Sequence, residues 1–212
     1  MIATEEHCFG IGEADTSVLA GPEETRHRRT TRELHRLESA QADFLLDHLG
    51  DITPGDRLLD AGCGRGGGSI VANQRFGCSV DGVSISRKQV DFANTKAAER
   101  GVADKVAFHL ANMLATGFEP GAYRGIWNNE STMYVNLDRL FAAHARLPRS
   151  WYFKAMAAND LVPVSVVDLT RATLPYWYLR QKSRLVTGIE EAFIEGYENG
   201  SFPYLLIAAD RV

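Results

Sequence analysis

The 212-residue sequence is short of cysteine, of excess positive charge and of long apolar runs, and each shortage removes a class of protein. Its three cysteines, Cys8, Cys63 and Cys78, have neither the spacing of a disulfide framework nor that of a zinc site. Lysine and arginine number 23 against 27 acids, a formal net charge of −4, so no basic face for nucleic acid is expected. The cluster Arg26, His27, Arg28, Arg29 and Arg32 is mixed with Glu23, Glu24 and Glu33, which reads as a solvated helix face. No stretch approaches the ~20 apolar residues of a membrane span. The start, Met1-Ile2-Ala3-Thr4-Glu5-Glu6, lacks the basic and apolar regions of a signal peptide, so the cytoplasm is the default location. No repeats or low-complexity tracts interrupt the chain, and the length suits one domain, with a homo-oligomer left open.

What the sequence does have is glycine in one concentrated place. Residues 58–68 read Leu-Leu-Asp-Ala-Gly-Cys-Gly-Arg-Gly-Gly-Gly, followed by Ile70, Val71 and Ala72. This is the end of a buried strand, a tight turn and the start of a helix. Such a turn lets a ligand approach the peptide closely and offers helix N–H groups to its anionic end. Gly62, Gly64 and Gly67 satisfy the dinucleotide spacing G-x-G-x-x-G, a weak signal alone. Asp60 shifts the balance. A carboxylate there repels a pyrophosphate but suits a cofactor with an amino group and a sulfonium. The run D-A-G-C-G-R-G resembles the first motif of class I S-adenosylmethionine (SAM)-dependent methyltransferases, and Asp60, Ala61, Gly62 and Gly64 are its cofactor candidates.

The rest of the chain alternates strand and helix. A helix from Pro22 to about Leu49 carries Leu34, Leu37, Phe44, Leu45 and His48 on one face and is closed by Gly50. Strands are expected from after Asp56 to Asp60 and at 78–84, 106–110 and 123–127, with helices between them, and Ser86 and Gln89 form an S-x-x-Q cap. Helices are expected from Asn136 and from Pro148 to about Asn159. A strand at 164–168, helical structure over 170–198 and a closing strand at 204–209 complete the reading. The pattern implies an α/β, doubly wound, mostly parallel sheet with a helical N-terminal extension. Its ligands sit in the crevice at the carboxyl ends of the strands. As one domain over 1–212, it divides into an N-terminal cap and helix (1–50), a cofactor half (51–147) and a substrate-side half (148–212).

Those strand ends name further candidates. Ser84, Ile85 and Gln89 occupy the place where nucleotide cofactors bind ribose, and G-V-S-I-S-x-x-Q resembles the cyclopropane-synthase-like branch of small-molecule methyltransferases. Ending a strand and capping a helix is the blander use of Ser84 and Gln89. Asn112 and Met113 follow the third strand, where adenine would lie. After the fourth come Asn128-Asn129-Glu130-Ser131-Thr132-Met133-Tyr134-Val135, two amides, a carboxylate and hydroxyls at the ligand-facing end.

That last block, with L-D-A-G-C-G-R-G-G, D-L-T-x-x-T-L-P-Y-W (168–177), L-V-T-G-I-E-x-A-F-I-E (185–195), G-P-E-E-T-R near residue 21, E-L-H-R-L-E-S-A-Q-A-D-F-L from residue 33 and the tail Y-x-L-I-A-A-D-R-V, resembles bacterial geranyl diphosphate 2-C-methyltransferases. The resemblance runs from about residue 10 to 212. It implies a Rossmann-like class I fold, methyl transfer from SAM to carbon 2 of geranyl diphosphate, a prenyl diphosphate, and Mg2+ at the diphosphate. The product would be 2-methylgeranyl diphosphate, a precursor of 2-methylisoborneol. Glu130 matches the family's active-site glutamate, with Asn129 and Tyr134 as supports. Tyr176 and Trp177 are candidate pocket walls, with aromatic core an equal alternative. Arg180 is a candidate diphosphate partner, with a surface arginine as the blander choice.

Two family segments have no counterpart here: an N-terminal stretch before Gly10, and a few dozen residues after Leu147 that include a fifth strand. The second loss leaves open a shortened relative that binds SAM or S-adenosylhomocysteine without catalysis, or an enzyme acting on another prenyl diphosphate. A dinucleotide oxidoreductase is disfavoured by Asp60 and by the lack of an acid at position 84.

Overall fold

A computed structural model describes residues 9–119, 121–131, 156–157, 160–201 and 203–211. The chain forms two compact units, one built around Leu49–Pro163 and the other from His7–His48 together with Val164–Ala209.

The first unit is a parallel sheet. Strands β1 (Arg57–Ala61), β2 (Ser79–Ser84), β3 (Val106–Leu110) and β4 (Gly125–Trp127) lie in the order β3-β2-β1-β4. Register pairs Leu59 with Asp81 and Ile126, and Asp60 with Gly82 and Trp127, so all four strands end on one side. Helices α2 (Gly67–Phe76) and α3 (Arg87–Glu99) make the crossovers. Each ends on a left-handed glycine, Gly77 at φ +67 and Gly101 at φ +68, as the sequence suggests. Leu58, Val80, Val83, Ala93, Ala97 and Val106 close the core between sheet and helices. Among the described residues β4 ends the sheet order, where the sequence analysis expects a strand to be missing.

One polar cluster ties strands across this sheet. Asp81 accepts from Arg57 (2.7 Å), His109 Nε2 (2.7 Å) and the Tyr123 hydroxyl (3.1 Å). Burial opposes its charge, but those donors outweigh it and hold the carboxyl below its ordinary range. Tyr123, buried beside that carboxylate, is pushed up to about 12. Asp81 is thus structural, in keeping with its place early in the strand.

The second unit joins the two ends of the chain. Helix α1 (Glu23–Leu46) starts at Pro22 and packs Leu34 and Leu37 against α4 (Thr170–Gln181). Helix α5 (Glu190–Glu198) and strands β5 (Leu161–Asp168) and β6 (Leu205–Arg211) complete it, the strands forming a two-stranded sheet. The expected N-terminal and substrate-side stretches are therefore one packed body, because the apolar face of α1 finds its partner on α4. Gly10 shows how closely they fit. A Cβ there would lie 2.5 Å from Leu37 Cβ and 2.6 Å from Tyr176 Cδ2, and no residue but glycine fits between them. The helix expected from Asn136, and most of that expected over 148–159, fall outside the described residues.

Candidate functional site

The crevice forms where β1 gives way to the glycine turn. Gly62 N and Cys63 N both donate to the Val83 carbonyl (3.0 and 2.9 Å), and Gly66 N donates to the Cys63 carbonyl (2.8 Å). These bonds fasten the turn to the end of β2. Asp60 is 3% exposed at its base and accepts the Ser69 hydroxyl at 2.7 Å, so the carboxylate is held by the first turn of α2. The glycines then divide by task. Cβ atoms at Gly62 and Gly66 would run into Ser131 and Phe108, so packing requires glycine there. Gly64, at φ +53, has nothing within 4 Å of its Cβ position and is the place where a ligand can come against the backbone.

The loop after β4 is stapled to this turn. Asn128 Nδ2 donates to the Ala61 carbonyl (2.6 Å) and lies 3.5 Å from Met113 Sδ, while the Ser131 hydroxyl donates to the same carbonyl (2.9 Å). Asn128 Oδ1 is buried without a hydrogen-bond partner, an acceptor facing no protein donor. Asn129 and Glu130 follow, both half-buried. Glu130 adopts φ +56, in the left-handed region, and Asp160 is the one other described non-glycine residue with positive φ. Such strain costs of order 1–3 kcal/mol and gathers at functional sites.

The candidates at the other strand ends are now placed. Ser84 is buried and donates to Gln89 Oε1 at 2.7 Å while accepting from Ser86 N at 3.1 Å. Only half of the expected S-x-x-Q box forms: Ser86 accepts from Gln89 N at 3.4 Å, but the Gln89 side chain turns to Ser84 instead of the cap backbone. Ile85 stands 79% exposed between them, an apolar side chain with no protein cover. Asn112 is exposed, its Oδ1 accepting from Leu114 N at 2.9 Å, and Met113 lies half-buried against Gly62. Asp60, Ala61, Gly62, Gly64, Met113, Asn128, Asn129, Glu130 and Ser131 thus lie at the carboxyl ends of β1, β3 and β4, while Tyr134 lies outside the described residues.

Three candidates belong to the core of the second unit. Tyr176 and Trp177 are each 1% exposed, and Trp177 stacks on Phe193 with centroids 4.5 Å apart. This placement is the aromatic-core alternative that the sequence left open. Burial, reinforced by the Glu38 carboxylate that accepts its hydroxyl at 3.0 Å, pushes the Tyr176 phenol far above its ordinary range. Arg180 is buried, not superficial; its Nε donates to Glu190 at 3.2 Å and its Nη1 lies 3.3 Å from the Tyr176 hydroxyl. A diphosphate would have to compete with Glu190 for that guanidinium.

Asn128 and Ser131 stand in the block read after the fourth strand, but no role was assigned to either from the sequence. Their signal was weak, because polar residues after a strand say nothing of a carbonyl some seventy positions earlier. Glu190 was also missed, though Thr187-Gly188-Ile189-Glu190 before an apolar run is a capping-box pattern.

A parallel sheet with a glycine turn after β1 and a buried acid at its base is the arrangement of the class I SAM-dependent methyltransferase fold, which the solved structures below share. The family model for mycolic acid cyclopropane synthetase matches residues 25–115. A geranyl diphosphate 2-C-methyltransferase of Saccharopolyspora erythraea is 60% identical over 97% of this chain and 85% of its own length. The crystal structure of geranyl diphosphate C-methyltransferase from Streptomyces coelicolor A3(2), in complex with Mg2+, geranyl diphosphate and S-adenosyl-L-homocysteine, is 46% identical. It superposes with a TM-score of 0.91, covering 99% of this chain and 93% of the other. A geranyl diphosphate methyltransferase in complex with geranyl diphosphate and sinefungin is 48% identical, with a TM-score of 0.91 over 98% and 90% of the two chains. The chain belongs to the geranyl diphosphate 2-C-methyltransferase family. Its alignment with the Saccharopolyspora protein runs to 243 positions over 97% of this chain, so nearly forty of that relative's residues have no counterpart here, in line with the internal loss read from the sequence. No helix among the described residues is long and apolar enough to cross a membrane.

Proposed function

We propose that this chain transfers the methyl group of SAM to carbon 2 of geranyl diphosphate, giving 2-methylgeranyl diphosphate. The observation that carries this reading is agreement across 97% of the chain with a relative of that activity, far beyond the cofactor motif itself. When bound, SAM supplies an electrophilic methyl on a sulfonium. The crevice suits it on three counts. Gly64 leaves room at the backbone, Asn128 Oδ1 offers an unpaired buried acceptor to an ammonium, and Ile85 offers an uncovered apolar surface to a purine.

The chain's own residues then have defined tasks. Asp60 and the Ala61 carbonyl make the turn anionic where positive charge arrives. Gly62, Asn128 and Ser131 fix the position of the loop that carries Glu130. Attack of the substrate alkene on the methyl leaves a tertiary cation at carbon 3, and loss of the proton at carbon 2 restores the double bond. Glu130 is the group we assign to that charge or proton, with Asn129 beside it, and alignment of the reacting carbons contributes much of the rest. For Mg2+, no group of three histidine, cysteine or acidic side chains that could hold a metal occurs among the described residues.

The direct test incubates the purified protein with methyl-labelled SAM, Mg2+ and geranyl diphosphate, beside shorter and longer prenyl diphosphates, and analyses products by mass spectrometry. Labelled 2-methylgeranyl diphosphate is the expected result. No product with any substrate, from protein that still binds S-adenosylhomocysteine, would favour the non-catalytic relative that the missing residues suggest. A labelled product from a longer or shorter chain alone would reassign the substrate.

Ile85→Ser separates ligand contact from folding. A side chain 79% exposed contributes little to stability, but covering it with a bound purine is worth about 1.5 kcal/mol, roughly tenfold in affinity. S-adenosylhomocysteine should therefore bind about tenfold more weakly with the melting temperature unchanged. Equal affinity by calorimetry would remove Ile85 from the cofactor site.

A further inference from the structure

The turn between α5 and β6 carries the sequence's one Asn-Gly pair, Asn199-Gly200, and none of the proposed steps uses it. Asn199 caps the C-terminus of α5, its N–H bonded to the Glu195 carbonyl at 3.0 Å, and Gly200 follows at φ +75. Asn199, Gly200 and Ser201 are all exposed, and nothing lies within 4 Å of a Cβ position on Gly200.

Three local features bear on the reactivity of this pair. The Gly200 N–H has no hydrogen-bond partner among the described residues, so no contact is lost when that nitrogen moves. Asn199 Oδ1 accepts from Ser201 N at 2.8 Å, which folds the side chain back along the turn and polarises its carbonyl. The Asn199 Nδ2 has no partner among the described residues, so nothing holds that nitrogen in place. Asn199 stands at ψ −2 and must rotate before the Gly200 nitrogen can meet its Cγ. The helix does not resist this. Rotation about ψ leaves the bond from Asn199 N–H to Glu195 intact, and glycine accepts the new conformation.

Other amides and acids lack this combination. Asp81-Gly82 has a similar sequence, but it is buried in β2 between two paired strands. Asn73 Nδ2 is held by the Cys78 carbonyl at 2.7 Å and Asn94 Nδ2 by the Phe108 carbonyl at 2.9 Å. Gln74 and Thr95 follow them, with side chains where Gly200 has none.

We propose that Asn199 is a site of spontaneous deamidation in this protein. The Gly200 main-chain nitrogen gives up its proton to solvent and bonds to Asn199 Cγ. The Cγ–Nδ2 bond breaks, and the departing nitrogen takes a proton from solvent and leaves as ammonia. The five-membered imide then takes up one water. Opening at Cγ gives aspartate, and opening at the main-chain carbonyl gives isoaspartate; no oxidant or reductant is needed. Either product places a new carboxylate at the negative end of α5, beside Glu195 and Glu198, where the helix has no basic residue in its last turn. The iso form also lengthens the main chain by one carbon just before β6.

The experiment ages the full chain in mildly alkaline buffer and follows it by peptide mass spectrometry. Cleavage after arginine releases residues 185–211, in which Asn199 is the only amide side chain, so a shift from amide to acid mass reports this site alone. An exposed turn needs little local opening, so the rate should lie within about tenfold of that of a free peptide spanning residues 197–203. It should rise with pH, because the nitrogen attacks as its anion. Part of the product should resist a protease that cuts before aspartate, the mark of the iso form. Asn199→Gln, which would need a larger imide ring, should keep its mass over the same period. The proposal is overturned if the full chain keeps the amide while the free peptide is largely converted, or if Asn199→Gln gains the same shift.

Discussion

Replacing Glu190 with alanine should destabilise the protein by about 3–5 kcal/mol, read as the shift in a chemical denaturation midpoint. Glu190 is 1% exposed at the start of α5 and is surrounded by donors. Thr187 N and its hydroxyl each lie 2.9 Å from Oε1, Gly188 N lies 2.8 Å from Oε2, and Arg180 Nε lies 3.2 Å from Oε1. Truncation would leave all four without their acceptor, and Arg180 buried with its charge unanswered. Burial by itself would raise this carboxyl, but the backbone N–H groups of Thr187 and of Glu190 itself, then the Thr187 hydroxyl and Gly188 N–H, more than offset it and bring the group down to about 2. The folded pKa lies below the ordinary 4.5, so the carboxylate's contribution is full above that value and is lost as pH falls toward about 2. Wild-type stability should decline across that window, and Glu190→Gln, which cannot ionise, should show a shallower decline. Parallel pH curves for the two proteins would mean that Glu190 is not ionised as described.

The same carboxylate shows what kind of information a sequence carries. Thr187 to Glu190 spans four residues, so its capping pattern is on the page in one dimension. So are the glycine turn at 62–68, the helix caps at Ser86, Gly77 and Gly101, and the strand-helix alternation that dictates a parallel sheet. Each rests on neighbours in the chain. The staple from Asn128 and Ser131 to the Ala61 carbonyl joins residues 67 and 70 positions apart, and no local pattern announces it. The bond from Tyr176 to Glu38 spans 138 positions, and it was this pairing of chain ends that decided whether Tyr176 and Trp177 line a pocket or fill a core. Arg180 was ambiguous for the same reason, because its partner Glu190 sits on the next helix. The basic run from Arg26 reads as solvated, and Arg26, Arg28 and Arg32 are indeed exposed, while Glu33 among them is buried and paired with Arg36. Charge interleaved along a helix does not say which charges are matched in space.

Glu130→Gln should keep the fold and the affinity for S-adenosylhomocysteine while lowering methyl transfer by roughly 10²–10⁴-fold, the usual contribution of a positioned acid or base. Glutamine preserves size and shape, and only the charge and the basicity go. A second variant exploits the backbone. Glu130 sits at φ +56, where a side chain other than glycine is strained by about 1–2 kcal/mol. Glu130→Gly should relieve that strain, offset in part by the greater freedom of glycine in the unfolded chain. The expected result is a protein at least as stable as the wild type, by up to about 1 kcal/mol, and as inactive as Glu130→Gln or more so. Gain of stability with loss of turnover is the mark of a residue held against its preference for a chemical task. Loss of stability in Glu130→Gly would instead make the side chain a structural support. Unchanged turnover in Glu130→Gln would remove Glu130 from the chemistry and leave the cation to be stabilised by ring faces, a contribution of about 2 kcal/mol when desolvated.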